Sequence, residues 1–98
     1  MYTILQTDVF AAWLDGLADE KAKARIAVRI LSAEKGNFGD FAPVADGVSE
    51  MRIHHGPGYR LYFARRGTVV YLLLCGGDKS TQKRDIKRAK TILAALEE

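Results

Sequence analysis

Residues 48–80, VSEMRIHHGPGYRLYFARRGTVVYLLLCGGDKS, read as three short strands joined by two glycine-marked turns and ending in a Gly-Gly-Asp-Lys-Ser corner. In Met51-Arg52-Ile53-His54 the odd positions are apolar and the even ones basic. Past the turn, Tyr59, Leu61 and Phe63 share one parity, and Arg60, Tyr62 and Ala64 the other. Strand side chains alternate between faces. Arg52, His54 and Arg60 are therefore expected on one face, and Met51, Ile53, Leu61 and Phe63 on the other. An oily sheet face needs helices over it. A basic face invites an anionic partner or water.

Working outward, residues 2–6 suit a first strand, rich in β-branched and aromatic side chains. Thr7 or Asp8 can cap a helix whose apolar stripe is Phe10, Trp13, Leu14 and Leu17. Gly16 ends it. Asp19 caps a second helix with the stripe Ala22, Ile26, Ile30 and Leu31, and Gly36 stops it. The two helices read as an antiparallel hairpin. Residues 37–47, NFGDFAPVADG, read as a loop with Phe38 and Phe41 tucked onto the body. Residues 69–75 are apolar at every position, which predicts a strand buried on both sides. Ser80 or Thr81 is expected to cap a last helix with the stripe Ile86, Ala89, Leu93 and Leu96. The order β-α-α-β-β-β-α predicts one α+β domain over 1–98: a four-stranded, mainly antiparallel sheet with an N-terminal helical hairpin and a C-terminal helix.

The 98 residues suffice for one domain with a modest core, and the 48% hydrophobic content argues against disorder. The net charge is +3, with basic residues gathered over 78–90: Lys79, Lys83, Arg84, Lys87, Arg88 and Lys90 against Asp78 and Asp85. Cys75 is the only cysteine, so no internal disulfide forms, and a reducing cytoplasm fits. The start, MYTILQTDVFAAW, shows no basic leader, and the run 69–75 is too short for a membrane helix.

Several residue groups can carry chemistry. Arginine presents a planar fork of donors that fits phosphate oxygens, so Arg52 and Arg60 on neighbouring strands can hold one phosphodiester. Arginines on a solvent face also simply keep a sheet soluble. The corner 75–80 lets a ligand approach two glycines at a helix start, with Lys79 adding charge. It equally serves as a strand-to-helix turn. His54 and His55 point to opposite faces and lack a cysteine or carboxylate cluster, so no zinc site is expected. His54 on the basic face can move a proton near neutral pH, or be a plain exposed histidine. Cys75 reads as a small buried hydrophobe rather than a nucleophile.

With Glu50-Met51-Arg52-Ile53, then Gly58-Tyr59-Arg60-Leu61-Tyr62-Phe63, then residues 74–82, LCGGDKSTQ, the chain resembles the RelE/HigB-like toxins of the RelE/ParE superfamily. Among them it is most similar to the addiction module killer proteins. The likeness extends to Gly36-Asn37-Phe38-Gly39-Asp40 and Asp46-Gly47-Val48 and covers nearly the whole chain. The resemblance implies a cytoplasmic toxin of a type II toxin–antitoxin pair. Such a toxin is a metal-independent, ribosome-dependent messenger RNA endoribonuclease with no cofactor and no membrane partner. Its partners would be mRNA on the ribosome and a cognate antitoxin of helix-turn-helix type from a neighbouring gene. By position, Arg52 and Arg60 match the family's phosphate binders, and Lys79 matches the basic residue after the last strand. Lys79 would be a base if nearby cations lowered its pKa, and otherwise a stabilising charge. His54 is nominated as acid or base from its face. Lys83, Arg84 and Lys87 would grip RNA backbone. No aromatic residue follows Tyr71 and no histidine follows His55. Many nuclease members place a tyrosine or histidine near the C-terminus, whereas the related ParE toxins share the fold, lack the nuclease set and poison DNA gyrase, so that role is the alternative, with a non-catalytic protein-binding module as a third.

Overall fold

The structure, a computed structural model, describes residues 1–97. Strand β1 (Thr3–Gln6) is followed by helices α1 (Asp8–Asp15) and α2 (Glu20–Glu34), strands β2 (Phe41–Ala45), β3 (Val48–Ile53), β4 (Tyr59–Arg66) and β5 (Val70–Asp78), and helix α3 (Gln82–Leu96). The sheet order is β1-β5-β4-β3-β2, with β1 parallel to β5 and every other pairing antiparallel. The expected α+β class, mainly antiparallel sheet and helix order are all present. The sheet has five strands, one more than expected. The fifth is β2, inside the stretch read as loop. Its Pro43 disguises it, and it is tolerated because β2 is an edge strand with a register shift at that point.

The caps follow the sequence in two of three cases. The Thr7 hydroxyl accepts from the Phe10 N–H, and Asp19 accepts from Lys21 and Ala22. At the last helix Thr81 holds the expected N-cap position but makes no capping bond. Asp78 accepts from the Ser80 N–H and caps a 3-10 turn over Lys79–Thr81, while the Thr81 hydroxyl instead donates to Asp85.

Both sheet faces are covered. Met51, Ile53, Leu61, Phe63 and Leu73 pack with Phe10 of α1 and Ala22, Ile26 and Ala33 of α2. The other face carries Val48, Tyr62, Ala64, Leu72 and Leu74 against Ala89 and Leu93 of α3. The basic face is thus roofed along part of its length by α3, which the strand alternation alone did not reveal. Leu31 and Leu96, assigned to buried stripes, are exposed.

The glycine pair of β5 serves this double layer. A Cβ on Gly76 would lie 2.3 Å from the Trp13 ring, and one on Gly77 would lie 1.9 Å from a carboxylate oxygen of Asp85. Each glycine makes room on one face: an indole from α1 below, a buried carboxylate from α3 above.

Candidate functional site

The pairing of β3 with β4 sets Arg52 directly opposite Arg60, and the pairing of β4 with β5 sets Arg60 opposite Gly77. Directly opposed residues lie about 4.5–5.5 Å apart and share a face. The two arginines nominated from sequence therefore stand side by side, where the roof of α3 begins.

Their surroundings differ. The Arg52 Nε donates to Glu50 Oε2 at 2.8 Å and its Nη1 to Asp40 Oδ1 at 3.0 Å. Glu50 is 1% exposed and also accepts from Gln82 Nε2 at 3.0 Å. Donation to Glu50, then to Asp40, raises the Arg52 pKa further above its ordinary value. Arg52 is thereby neutralised and fixed, and Glu50 joins β3 to the first residue of α3. Arg60 has no carboxylate partner among the described residues, and its Nε is buried without an acceptor. Two residues on, the Tyr62 hydroxyl is also buried with no partner among the described residues, and burial pushes its pKa up.

His54 leaves the sheet after β3 and turns to Asp40, with Nε2 2.6 Å from Oδ2, while 73% of its side chain stays exposed. With Nε2 donating to the carboxylate, Nδ1 has no partner among the described residues. A carboxylate-held imidazole of this kind suits proton transfer. The His54 hydrogen bond is the foremost reason the Asp40 pKa falls below the usual carboxylate value, with Arg52 adding to it. His55 faces elsewhere and holds Asp19, the cap of α2, at 3.0 Å.

Lys79 is exposed at the corner and lies against the β3–β4 turn, its Cβ 3.6 Å from where a Gly58 Cβ would be. Lys79, Lys83 and Arg84 line one shallow depression of about 550 Å³. Lys87 is exposed a turn further along α3. The structure thus sets Arg52 beside Arg60 and links Arg52 through Asp40 to His54, which borders a groove along α2 rather than sharing the sheet face of the two arginines, with Lys79, Lys83 and Arg84 as a second cationic group at the start of α3.

Sequence reasoning missed three acids. Glu50 shares parity with Arg52, so strand alternation could have found it. Asp85 is 1% exposed and precedes Ala89 and Leu93 at four-residue steps, so the helical stripe could have found it. Asp40 lies in a connection whose course no local pattern fixes. Arg29 anchors that connection by donating to the carbonyls of Phe38, Asp40 and Arg52. Cys75 is buried as expected, and burial pushes its thiol pKa up to about 11. Among the described residues no three His, Cys, Asp or Glu side chains are grouped to hold a metal ion, and no helix is long and apolar enough to cross a membrane.

Over residues 12–97 the sequence matches the family described as Phage derived protein Gp49-like (DUF891). It is also 48% identical over 93 residues to a protein of Haemophilus influenzae (strain ATCC 51907 / DSM 11121 / KW20 / Rd) described as an uncharacterized protein. That alignment covers 95% of this chain and 94% of the relative.

Proposed function

The chain belongs to the phage-derived Gp49-like family, a family associated with toxin–antitoxin modules, and from that premise we propose that it is the toxin of such a pair, a RelE/HigB-type messenger RNA endoribonuclease. The observation that carries the nuclease reading is Arg60. It is a guanidinium on the sheet without a carboxylate partner among the described residues, with a buried Nε that lacks an acceptor. An unpaired cation held in a partly buried place supports binding of an anion that develops charge.

In this reading the ribose 2′-oxygen attacks the adjacent phosphorus. The 2′-hydroxyl proton passes to a base, the P–O5′ bond breaks, and the departing 5′-oxygen takes a proton, leaving a 2′,3′-cyclic phosphate. Arg60 binds the non-bridging oxygens. His54, oriented by Asp40, exchanges the proton through Nδ1. Arg52, held by Glu50 and Asp40, contributes its remaining donors and stiffens the strand pair. Lys79 adds charge at the corner, and Lys83, Arg84 and Lys87 take the flanking phosphates, a contact that carries no sequence preference. The antitoxin silences the toxin in the cytoplasm.

A second reading, poisoning of DNA gyrase, draws on the lack of any aromatic or histidine side chain after Tyr71. One experiment separates the two: inducible expression followed by mapping of new transcript 5′ ends. Codon-phased cuts during growth arrest are expected. Uncut transcripts with trapped gyrase cleavage complexes would replace the nuclease reading with the second.

A further inference from the structure

Helix α2 is apolar on two sides. Ala22, Ile26 and Ala33 face the core. On the outside, Ala24, Val28 and Leu31 form a second stripe, with Val28 60% and Leu31 58% exposed. A soluble helix covered on one side only normally turns charge outward. This outer stripe opens onto a groove of about 590 Å³ between α2 and the end of β3, with Ala24, Val28 and Ile53 as its apolar lining and His54 among its residues. Lys21 and Arg25, one helical turn apart on its rim, are exposed and form no ion pair among the described residues. Lys23 is instead paired with Glu20, and Arg29 is occupied by three carbonyls.

We infer that this groove is the docking surface for an amphipathic helix of the antitoxin, one that carries an apolar strip edged with Asp or Glu. The identity of that partner rests on the toxin reading above. An apolar lining with a cationic rim is complementary to such a helix and to little else. RNA is a poor fit, because the lining has no aromatic ring for a base to stack on. A second copy of this chain is also a poor fit, because a two-fold axis through the groove would set Lys21 and Arg25 against their own counterparts. The groove reaches His54, whose ring is bonded to Asp40, which in turn holds Arg52. A helix seated there adjoins the proposed active groups and can block substrate while leaving the cations of α3 exposed.

The probe is a fluorescein-labelled helical peptide of roughly 18 residues, about 27 Å long, with leucines along one stripe and glutamates on both flanks. A second peptide carries lysines in place of the glutamates. Fluorescence anisotropy with the intact chain should show the acidic peptide binding at a Kd on the order of 10 μM and the lysine peptide at least tenfold weaker. Val28→Glu should weaken the acidic peptide tenfold or more, with an unchanged circular dichroism spectrum and melting temperature, because Val28 is exposed. The double variant Lys21→Glu/Arg25→Glu should reverse the preference between the peptides. Equal binding of the two peptides, or indifference to Val28→Glu, would overturn the inference. So would self-association of the wild type that Val28→Glu abolishes, or binding of a labelled oligoribonucleotide that the double variant abolishes. Peptide binding needs no toxicity and the transcript map does not involve Val28, so this inference and the toxin reading fail separately.

Discussion

The two glycines at the end of β5 give a sharp expectation for stability. In Gly76→Ala the new methyl would meet Trp13 ring carbons at 2.3, 2.4 and 2.6 Å. Carbon contacts are comfortable at about 3.5–4.0 Å, so the indole must retreat by more than about 1 Å. Trp13 is partly buried against the core, with Phe10 at 5.6 Å and Tyr59 at 6.2 Å between ring centroids, so its retreat breaks that aromatic packing. Overpacking of this kind costs about 1–3 kcal/mol, and the depth of the clash puts Gly76→Ala at the upper end, about 3 kcal/mol. For a domain of this size that is a fall in melting temperature of roughly 12–24 °C. Thermal denaturation followed by circular dichroism measures it. The same methyl should cost less in a Trp13→Leu background, with a coupling of about 1–3 kcal/mol in the double-mutant cycle. A Gly76→Ala protein that melts like the wild type would refute the reasoning, as would a cost undiminished by Trp13→Leu. Neither glycine has a positive φ, so lost backbone freedom offers no competing explanation.

Glu50→Ala should destabilise the chain by about 2–4 kcal/mol in urea denaturation, because Arg52 and Gln82 lose a buried acceptor while Arg52 keeps Asp40. Cys75, a buried thiol whose pKa is raised to about 11, should resist iodoacetamide at neutral pH until the chain is unfolded, and rapid labelling of the folded protein would contradict its placement. The Asp40 pKa is lowered in the folded chain, so its contribution is present above the ordinary carboxylate value of 3.8 and is lost as pH falls through the folded value. Asp40→Asn should therefore flatten the decline of melting temperature on acidification below about pH 4, and an unchanged slope would show that Asp40 gains nothing on folding.

Much of this architecture was legible locally. Alternation in 51–54 and 59–64 sorted the faces of β3 and β4 and placed Arg52 beside Arg60. Thr7 and Asp19 marked their helix starts because a side-chain oxygen followed by an apolar stripe leaves few alternatives. What escaped depends on contacts distant in sequence. Pro43 argues against a strand unless its partner is known, and only the pairing with β3 makes Phe41–Ala45 one. The roof of α3 over the sheet was hidden because a buried Asp85 in its stripe reads as surface until Gly77 makes room for it. Arg52 and Arg60 look equivalent in the chain, and the difference between them comes from Glu50 and from Asp40, which Arg29 draws in from a separate connection.

The most direct measurement compares growth after induction of the wild type and of Arg60→Ala, with circular dichroism confirming that the variant is folded. Arg60 is half-buried and has no carboxylate partner among the described residues, so its removal breaks no ion pair and should cost about 1 kcal/mol, a fall in melting temperature of roughly 4–8 °C. Arrest in the wild type and its loss in Arg60→Ala is the result the account predicts. A folded Arg60→Ala protein that arrests growth as strongly as the wild type would contradict it.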